Sequence, residues 1–147
     1  MAQGDLTVFE EVAEMIGEEV FDFENDTLKL GLIDNSAAPT AADATPRWAD
    51  YSANEVGTGG NYTANGETLA NVSYTEADGV ATLDADNVQF AQDGSGFTDA
   101  YWAIIYDDSA TNDEAICFIE MGGPVSEQAG PVNINFNASG ILTVTVS

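Results

Sequence analysis

Carboxylates are the side chains of this chain that offer the most chemistry, because Asp and Glu together number 26 among 147 residues. Three groups lie close enough in sequence to supply oxygen ligands for Ca²⁺: Asp84 with Asp86, Asp107 with Asp108, and Asp22 with Glu24 and Asp26. None has the spacing of a calcium-binding loop that closes with a bidentate Glu. Because Asp and Asn favour turns through hydrogen bonds to the local backbone, solvated turns are the preferred interpretation. We expect no metal or other cofactor.

Histidine is absent, and Cys117 is the only cysteine. The Ser–His–Asp and Cys–His mechanisms both use histidine as the base, so these classes of enzyme are excluded. Cys117 lies in the apolar run 115–119, where a buried and unreactive thiol is expected. A glycosidase needs two carboxylates at a fixed separation in unlike environments, and the sequence singles out no such pair. We therefore predict that the chain is not an enzyme.

The balance of charge restricts the partners. Lys29 and Arg47 are the only cations, and the formal net charge is −24. Nucleic-acid binding relies on Lys and Arg to release counterions from phosphates, so DNA, RNA and anionic membranes should all be repelled. The first residues lack the basic segment and apolar core of a secretory signal, and no stretch reaches the roughly 20 apolar residues of a membrane span. We expect a soluble protein made in the cytoplasm.

One of the two cations, Arg47, directly precedes one of the two tryptophans, Trp48. Trp, Tyr and Arg dominate the hot spots of protein interfaces, so this pair predicts an interface anchor. An internal cation–π or ion-pair contact, which would tie the neighbouring loop to the rest of the domain, is the alternative. The sequence favours neither.

The N-terminal stretch 7–20 has the features of the one convincing helix. Thr7 and Glu10 form a capping box at its start. An apolar stripe recurs along it at helical spacing: Phe9, Val12, Ala13, Ile16 and Val20. Such a stripe must be covered, and covering by the domain's own sheet is favoured over covering by a neighbouring subunit.

After the helix the hydrophobic period changes from about 3.6 to 2. Residues 34–50 are predicted to form an extended loop that includes an Ala-, Pro- and Thr-rich part. Strands are predicted over residues 27–33, 67–76, 79–84, 87–91, 100–106, 115–121, 132–137 and 141–146. Residues 100–106 and 115–121 are apolar on both faces and are therefore placed centrally, with Trp102 and Tyr106 in the core. Short strands with turns about every 8–12 residues are typical of a β-sandwich or a small barrel.

The fold class that follows is mainly β: a single β-sandwich or jelly-roll-like domain over residues 1–147 with one N-terminal α-helix, the sandwich comprising residues 27–33 and 51–147. Turn residues predict how the strands connect. Asn65-Gly66 is a hairpin signal, and Asp78-Gly79 links two of the predicted strands. The segment 138–140 is predicted to be the turn at which the last two strands meet.

Five segments carry a resemblance to a known family. They are residues 26–32 (Asp-Thr-Leu-Lys-Leu-Gly-Leu), 60–69 (Gly-Asn-Tyr-Thr-Ala-Asn-Gly-Glu-Thr-Leu), 101–106, 116–123 ending in Met-Gly-Gly, and 134–141. With the N-terminal helix and the Pro-containing loop, this layout resembles a family of small tailed-phage virion proteins, usually described as head decoration (cement) or minor structural proteins. The likeness covers most of the chain, although each motif is short, and the family pattern commonly has Gly where Asn65 stands.

The resemblance implies a non-enzymatic virion structural protein that decorates and stabilises the capsid shell of a tailed bacteriophage. The implied partners are the major capsid protein and further copies of the chain itself, as a homotrimer on the outer capsid surface. The candidate assembly-contact residues are Phe9, Val12, Ile16, Arg47, Trp48 and Tyr51. The alternative is a β-sandwich binding module on a tail or fibre, for adhesion to a host surface or carbohydrate. That alternative predicts exposed aromatic residues, with Trp48, Tyr51, Tyr62 and Tyr74 as candidates.

Overall fold

A computed structural model describes residues 4–146 of the chain. This part of the chain is mainly β, with three antiparallel sheets and few helices. The strands are β1 (Leu6–Val8), β2 (Leu28–Ile33), β3 (Glu67–Thr68), β4 (Ser73–Ala77), β5 (Val80–Asp84), β6 (Val88–Phe90), β7 (Ala100–Asp107), β8 (Ala115–Val125), β9 (Val132–Ile134) and β10 (Leu142–Thr145). The α-helices are α1 (Val12–Gly17) and α2 (Trp48–Tyr51), and α2 continues into a 3₁₀ turn at Ser52–Asn54.

The main sheet contains five strands in the order β1-β8-β7-β2-β3. β7 and β8 form a hairpin whose connecting turn is closed by a hydrogen bond of 2.9 Å from Asp107 N to Glu114 O. Both strands lie inside the sheet, and almost all residues of 100–107 and 115–121 are buried, which confirms the prediction for residues 100–106 and 115–121. Such apolar runs on both faces are stable only where other layers cover both sides of the sheet.

Two smaller sheets complete the fold. The second sheet has the order β10-β5-β4, and the third pairs β6 with β9. β4 and β5 form a hairpin across Asp78 and Gly79, whose φ angles are +54° and +82°. A two-residue turn in which both residues have positive φ matches the twist of the two strands that it connects. The predicted link at Asp78-Gly79 is therefore confirmed.

Three predicted connections are wrong. Asn65 and Gly66 do form a turn, closed by Gly66 N donating to Thr63 O at 2.9 Å, but the turn leads into β3, which pairs with β2. Residues 67–76 are not one strand, because β3 and β4 belong to different sheets and Asn71 between them has a φ of +52°. The segment 138–140 joins strands of different sheets, since β9 pairs with β6 and β10 pairs with β5. Local turn chemistry bends the chain without choosing the partner strand.

The predicted helix 7–20 is largely wrong in extent. Thr7 lies in β1, where it pairs with Phe118 of β8, and the helix covers only Val12–Gly17. Its N-cap is Glu11, which makes no capping hydrogen bond through its side chain. Residues 6–8 extend as a strand because the edge of β8 offers them a pairing partner in place of the expected helical hydrogen bonds.

The core is built from apolar side chains of all three sheets. Trp102 and Tyr106 belong to it, as predicted, with exposed fractions of 9% and 0%. Of the helices within residues 4–146, none has the length and hydrophobicity that crossing a membrane would require.

Candidate functional site

Trp48 begins α2, so the loop predicted over residues 34–50 is wrong in its last three residues. The side chain is an internal anchor of this segment. Its indole stacks on Tyr106 with ring centroids 5.0 Å apart and an angle of 3° between the ring planes. A Cβ atom added to Gly31 would lie 2.3 Å from Trp48 Cη2, so only glycine leaves room for the ring. The indole Nε1 donates a hydrogen bond to Asn65 Oδ1 at 3.3 Å. Trp48 is 4% exposed and therefore offers almost no surface to a partner.

Arg47 is half-buried beside the turn between β7 and β8. Its backbone forms a bridge with Glu114, and its N–H donates to Asp50 Oδ2 at 3.0 Å. Burial acts to raise the pKa of Glu114, but hydrogen bonds from Asn112 and the charge of Arg47 outweigh it and lower the pKa. Trp48 is held internally by its stacking on Tyr106, but among residues 4–146 Arg47 forms neither the cation–π contact nor the ion pair of the second interpretation.

The remaining candidate contact residues lie mainly in the core. Phe9 and Val12 are 1% and 2% exposed, and Tyr51 is 4% exposed. The Phe9 ring packs against the rings of Phe118 and Tyr51 at centroid distances of 5.1 and 6.1 Å. Ile16 is half-exposed at the end of α1. Phe9 and Val12 of the predicted stripe are thus covered within the domain, whereas Ala13 is exposed and Ile16 and Val20 are half-exposed.

An apolar cleft of about 320 Å³ opens beside Ile16, and we name it the edge cleft. Its other lining residues are Phe21, Asp22, Phe23, Glu24 and Tyr74. The Phe21 and Phe23 rings stack at 5.3 Å, and Phe23 packs on Tyr74 at the same distance. The sequence reasoning missed this cleft, although the alternation of Phe and acidic residues over 21–24 was visible as a signal of an extended, one-sided segment.

The edge cleft adjoins an open sheet edge, because β4 is the outermost strand of the second sheet. β4 and β5 are joined by a hairpin turn of only Asp78 and Gly79. In such a hairpin the residues next to the turn bond to each other, so Ala77 and Thr75 point their backbone groups towards β5. Tyr74 and Glu76 consequently direct their N–H and C=O groups away from the sheet.

A pair of carboxyl groups meets where β2 begins and β7 ends. Asp107 is fully buried, and its Oδ1 accepts hydrogen bonds from the N–H groups of Ser109 and Ala110 at 2.8 and 3.1 Å. Its Oδ2 receives no N–H or hydroxyl hydrogen from the described residues. Burial, together with the hydrogen bond to Asp26 and the negative charge there, raises the pKa of Asp107 to about 7. A proton held between the two carboxyl groups completes the contact.

Asp26 also lines an acidic cleft of about 560 Å³ together with the carboxylates of Glu18, Glu19, Asp22 and Glu114. Within residues 4–146, no group of three or more carboxylate, thiol or imidazole side chains is arranged to hold a metal ion. The segment 22–26 is a turn bonded by its own side chains. Asp22 Oδ2 accepts from Asn25 Nδ2 at 2.8 Å, and Asp26 Oδ2 accepts from Asp22 N at 2.7 Å. The turn interpretation is confirmed for this group.

Cys117 and the buried tyrosines are held in their neutral forms. Cys117 is fully buried in β8, and burial raises the pKa of its thiol, which makes it a poor nucleophile. Burial also raises the pKa of Tyr62, and Glu55, whose Oε1 accepts a hydrogen bond of 2.7 Å from the Tyr62 hydroxyl, raises it further.

Glu127 is a second feature that sequence reasoning missed. Its side chain is fully buried, and its Oε1 accepts a hydrogen bond of 2.8 Å from Asn61 N. A Cβ atom on Gly96 would lie 2.2 Å from Glu127 Oε2, so the carboxylate sits directly against the loop 93–97. Its backbone N–H donates to Phe97 O, and its C=O accepts from Asp93 N. Glu127 thereby joins the loop 59–61 to the loop 93–97.

Comparison of the chain with protein-family models, with curated proteins and with solved structures finds no match.

Proposed function

We propose that this chain is a non-enzymatic structural protein of a tailed-phage virion, which decorates and stabilises the capsid shell. In this proposal its partners are the major capsid protein and further copies of the chain in a homotrimer. The protein is made in the host cytoplasm and then occupies the outer surface of the capsid.

The observation that carries the proposal is where the resembling segments lie in the fold. Residues 26–32, 60–69, 101–106 and 116–123 contribute to β2, β3, β7 and β8, which are four neighbouring strands of the main sheet. Four of the five resembling segments therefore form one contiguous part of the main sheet, while residues 134–141 lie outside it. By analogy of fold, paired strands of this kind suit a subunit whose role is to bind and reinforce a surface.

The charge supports the same proposal. A net charge of −24 keeps free subunits apart from one another and from nucleic acid until they bind their target. Charges exposed to salt solution are screened beyond a Debye length of roughly 8 Å near 0.15 M, so close packing of such subunits on a shell remains feasible.

The alternative, an adhesion module on a tail or fibre, depends on exposed aromatic side chains. Trp48, Tyr51 and Tyr62 are only 4%, 4% and 3% exposed, and Tyr74 is half-buried. A sugar-binding platform needs aromatic faces open to solvent, and these rings are packed against the core instead. The burial argues against adhesion through these rings, and it equally removes Trp48 and Tyr51 from the residues that could contact a capsid shell.

The finer description of the fold belongs to the same proposal. We propose that the three sheets stack as a β-sandwich or jelly-roll-like domain, with the main sheet as one layer. Two packed layers around a single core are the usual solution for antiparallel sheets that are buried on one face.

Cryo-electron microscopy of particles of the phage that encodes this chain tests the proposal. Density for the chain at repeated sites on the capsid shell is the expected result, and it would also reveal whether the copies form trimers. Density restricted to the tail or fibre would replace decoration with the adhesion alternative. Absence of the chain from purified particles, checked by mass spectrometry, would refute both roles.

A further inference from the structure

We propose that the outer edge of β4 and the adjoining edge cleft bind an extended, positively charged segment of a partner protein, which adds to the second sheet as a fourth strand. This inference rests on the open edge, the cleft and the charge, and it holds whether or not the chain belongs to a virion. The three observations are independent of one another.

The backbone of β4 is available for strand addition. The outward N–H and C=O groups belong to Tyr74 and Glu76, and the second sheet ends at this strand. Sheet edges in soluble proteins are commonly protected by Lys, Pro or a bulge, whereas β4 has the sequence Ser-Tyr-Thr-Glu-Ala. Its one charged side chain, Glu76, bends back to accept a hydrogen bond from Gly79 N at 2.7 Å. The edge therefore remains open for main-chain pairing with another chain.

The edge cleft supplies a pocket at the same place. Tyr74 belongs to β4 and also lines the cleft, together with Phe21 and Phe23. Side chains of an added strand alternate between the two faces of the sheet, so every second one would enter or flank the cleft. An aromatic or large aliphatic side chain at the central position fits a cleft of about 320 Å³ that is lined by aromatic rings.

Charge complementarity identifies the occupant as basic. Asp22 and Glu24 line the cleft, and Glu76 stands on the strand edge. Neither cation of the chain lines the cleft: Lys29 Nζ pairs with Asp108 at 3.2 Å, and the backbone of Arg47 forms a bridge with Glu114. A second copy of this chain would bring another charge of −24 to the same edge, so Lys or Arg beside the apolar side chain is favoured.

A defined peptide tests the proposal on the full chain. The probe is the fluorescently labelled peptide Thr-Lys-Thr-Phe-Thr-Lys-Thr, which as a strand presents Phe between two Lys on one face. Binding is measured by fluorescence anisotropy at low ionic strength. Two further peptides have the same sequence and two backbone N-methyl groups each: the first is methylated at Phe and the second Lys, and the other is methylated at the two inner Thr residues. All three have the same charge, so general attraction to an acidic protein affects them equally.

The expected result is that one N-methylated peptide binds at least about tenfold more weakly than the other, as the loss of a pair of backbone hydrogen bonds predicts. In the protein, Glu76→Pro removes the outward N–H and should weaken binding of the unmodified peptide about as strongly. Glu76→Ala removes the same side chain, keeps the N–H, and should bind like the parent chain or slightly more weakly. Glu24→Lys should weaken binding more than Glu10→Lys, which changes an exposed acid outside the cleft lining.

Hydrogen exchange supplies a second measurement that needs no variant. The amides of Tyr74 and Glu76 should become protected when the peptide binds, while that of Thr75 is already in the ladder with β5. Failure of the peptide to bind would overturn the proposal, as would equal weakening by both sets of N-methyl groups. Equal binding of a peptide with Glu in place of Lys would overturn the charge argument. A dimer of the free chain that Glu76→Pro dissociates would assign the edge to a second copy.

Discussion

The indole of Trp48 lies nearly parallel to the ring of Tyr106, at a centroid distance of 5.0 Å and an angle of 3°. Both rings also bond to the same residue: Trp48 Nε1 donates to Asn65 Oδ1, and the Tyr106 hydroxyl donates to the Asn65 carbonyl. The stacked pair therefore connects the start of α2, the main sheet and the turn that precedes β3. Gly31, beneath the indole, makes this arrangement sterically feasible.

Replacement of Gly31 by Ala should destabilise the protein. The added Cβ would lie 2.3 Å from Trp48 Cη2, a distance at which the indole must move away from Tyr106. Overpacking of a filled core typically costs about 1–3 kcal/mol. The free energy of unfolding, measured by urea denaturation, should fall by about this amount, with an unchanged dependence on urea concentration.

Gly57→Ala is the matched control, because a Cβ atom at Gly57 has nothing within 4 Å. A double variant, Gly31→Ala with Trp48→Ala, tests whether the clash with the indole causes the destabilisation. In the absence of the indole, Gly31→Ala should lower the unfolding free energy much less than it does in the parent chain. If Gly31→Ala and Gly57→Ala change the unfolding free energy equally, the indole does not require glycine beneath it.

The strands that the sequence predicted best are those with strong local patterns. β7 and β8 are apolar on both faces, and their central position follows from that pattern alone. The Asp78-Gly79 turn also follows from local chemistry, because both residues must adopt positive φ. Pairing between strands distant in sequence is not encoded locally, so the sheet partners of β3, β9 and β10 could not be predicted.

The N-terminal segment illustrates a different limit. The spacing of Phe9, Val12 and Ile16 marks residues on one side of the segment, but residues 6–8 form a strand because the edge of β8 is available to pair with them. For the candidate contact residues, side-chain type suggested an interface, whereas burial depends on the whole fold. Trp48 is covered because Gly31 of β2 leaves room for its indole and the ring of Tyr106 of β7 stacks on it.

Gly96→Ala should disrupt the contact between two loops. A Cβ atom there would lie 2.2 Å from Glu127 Oε2 and 2.8 Å from Glu127 Cβ, so the buried side chain must shift as a whole. That shift would also lengthen the hydrogen bond from Asn61 N. We expect a loss of about 1–3 kcal/mol in unfolding free energy. Gly94→Ala is the control in the same loop, because its Cβ would have nothing within 4 Å. Equal effects of the two variants would contradict the role assigned to Glu127.

The pair Asp26–Asp107 should make stability depend on pH near neutrality. The pKa of Asp107 is raised from 3.8 to about 7, so between these values the folded state binds more protons than the unfolded state. The unfolding free energy contributed by this pair is therefore complete below about pH 4 and decreases as the pH rises through about 7. Urea denaturation of the parent chain at several pH values should show this decrease in unfolding free energy. Asp107→Asn should make the decrease smaller, because the amide carries no titrating proton. Its oxygen still accepts the hydrogen bond from Ser109 N.

Asp93→Asn is the control for that measurement. Asp93 Oδ1 also accepts a backbone hydrogen bond within a turn, from Ser95 N at 2.8 Å, so the substitution removes one negative charge while an amide oxygen keeps the bond. The difference in unfolding free energy between parent and Asp107→Asn should change with pH, in favour of the variant above pH 7. A difference that is constant across this range, as general charge repulsion alone would give, would refute the shared proton.

Salt should stabilise the chain, because 26 carboxylates and only two cations repel one another within one small domain. Among residues 4–146 the one ion pair, Lys29 with Asp108, is partly exposed and offsets little of this repulsion. Screening shortens the range of the repulsion to roughly 10 Å at 0.1 M and less above it, and the unfolded chain keeps its charges farther apart. The urea midpoint should therefore rise between low salt and about 0.5 M NaCl.

Tetramethylammonium chloride is the control, since it screens equally but is too large for a compact cation site. Equal rises in the two salts are expected, whereas a rise confined to NaCl, or a much larger one with millimolar CaCl₂, would mean that the acidic cleft binds a specific cation.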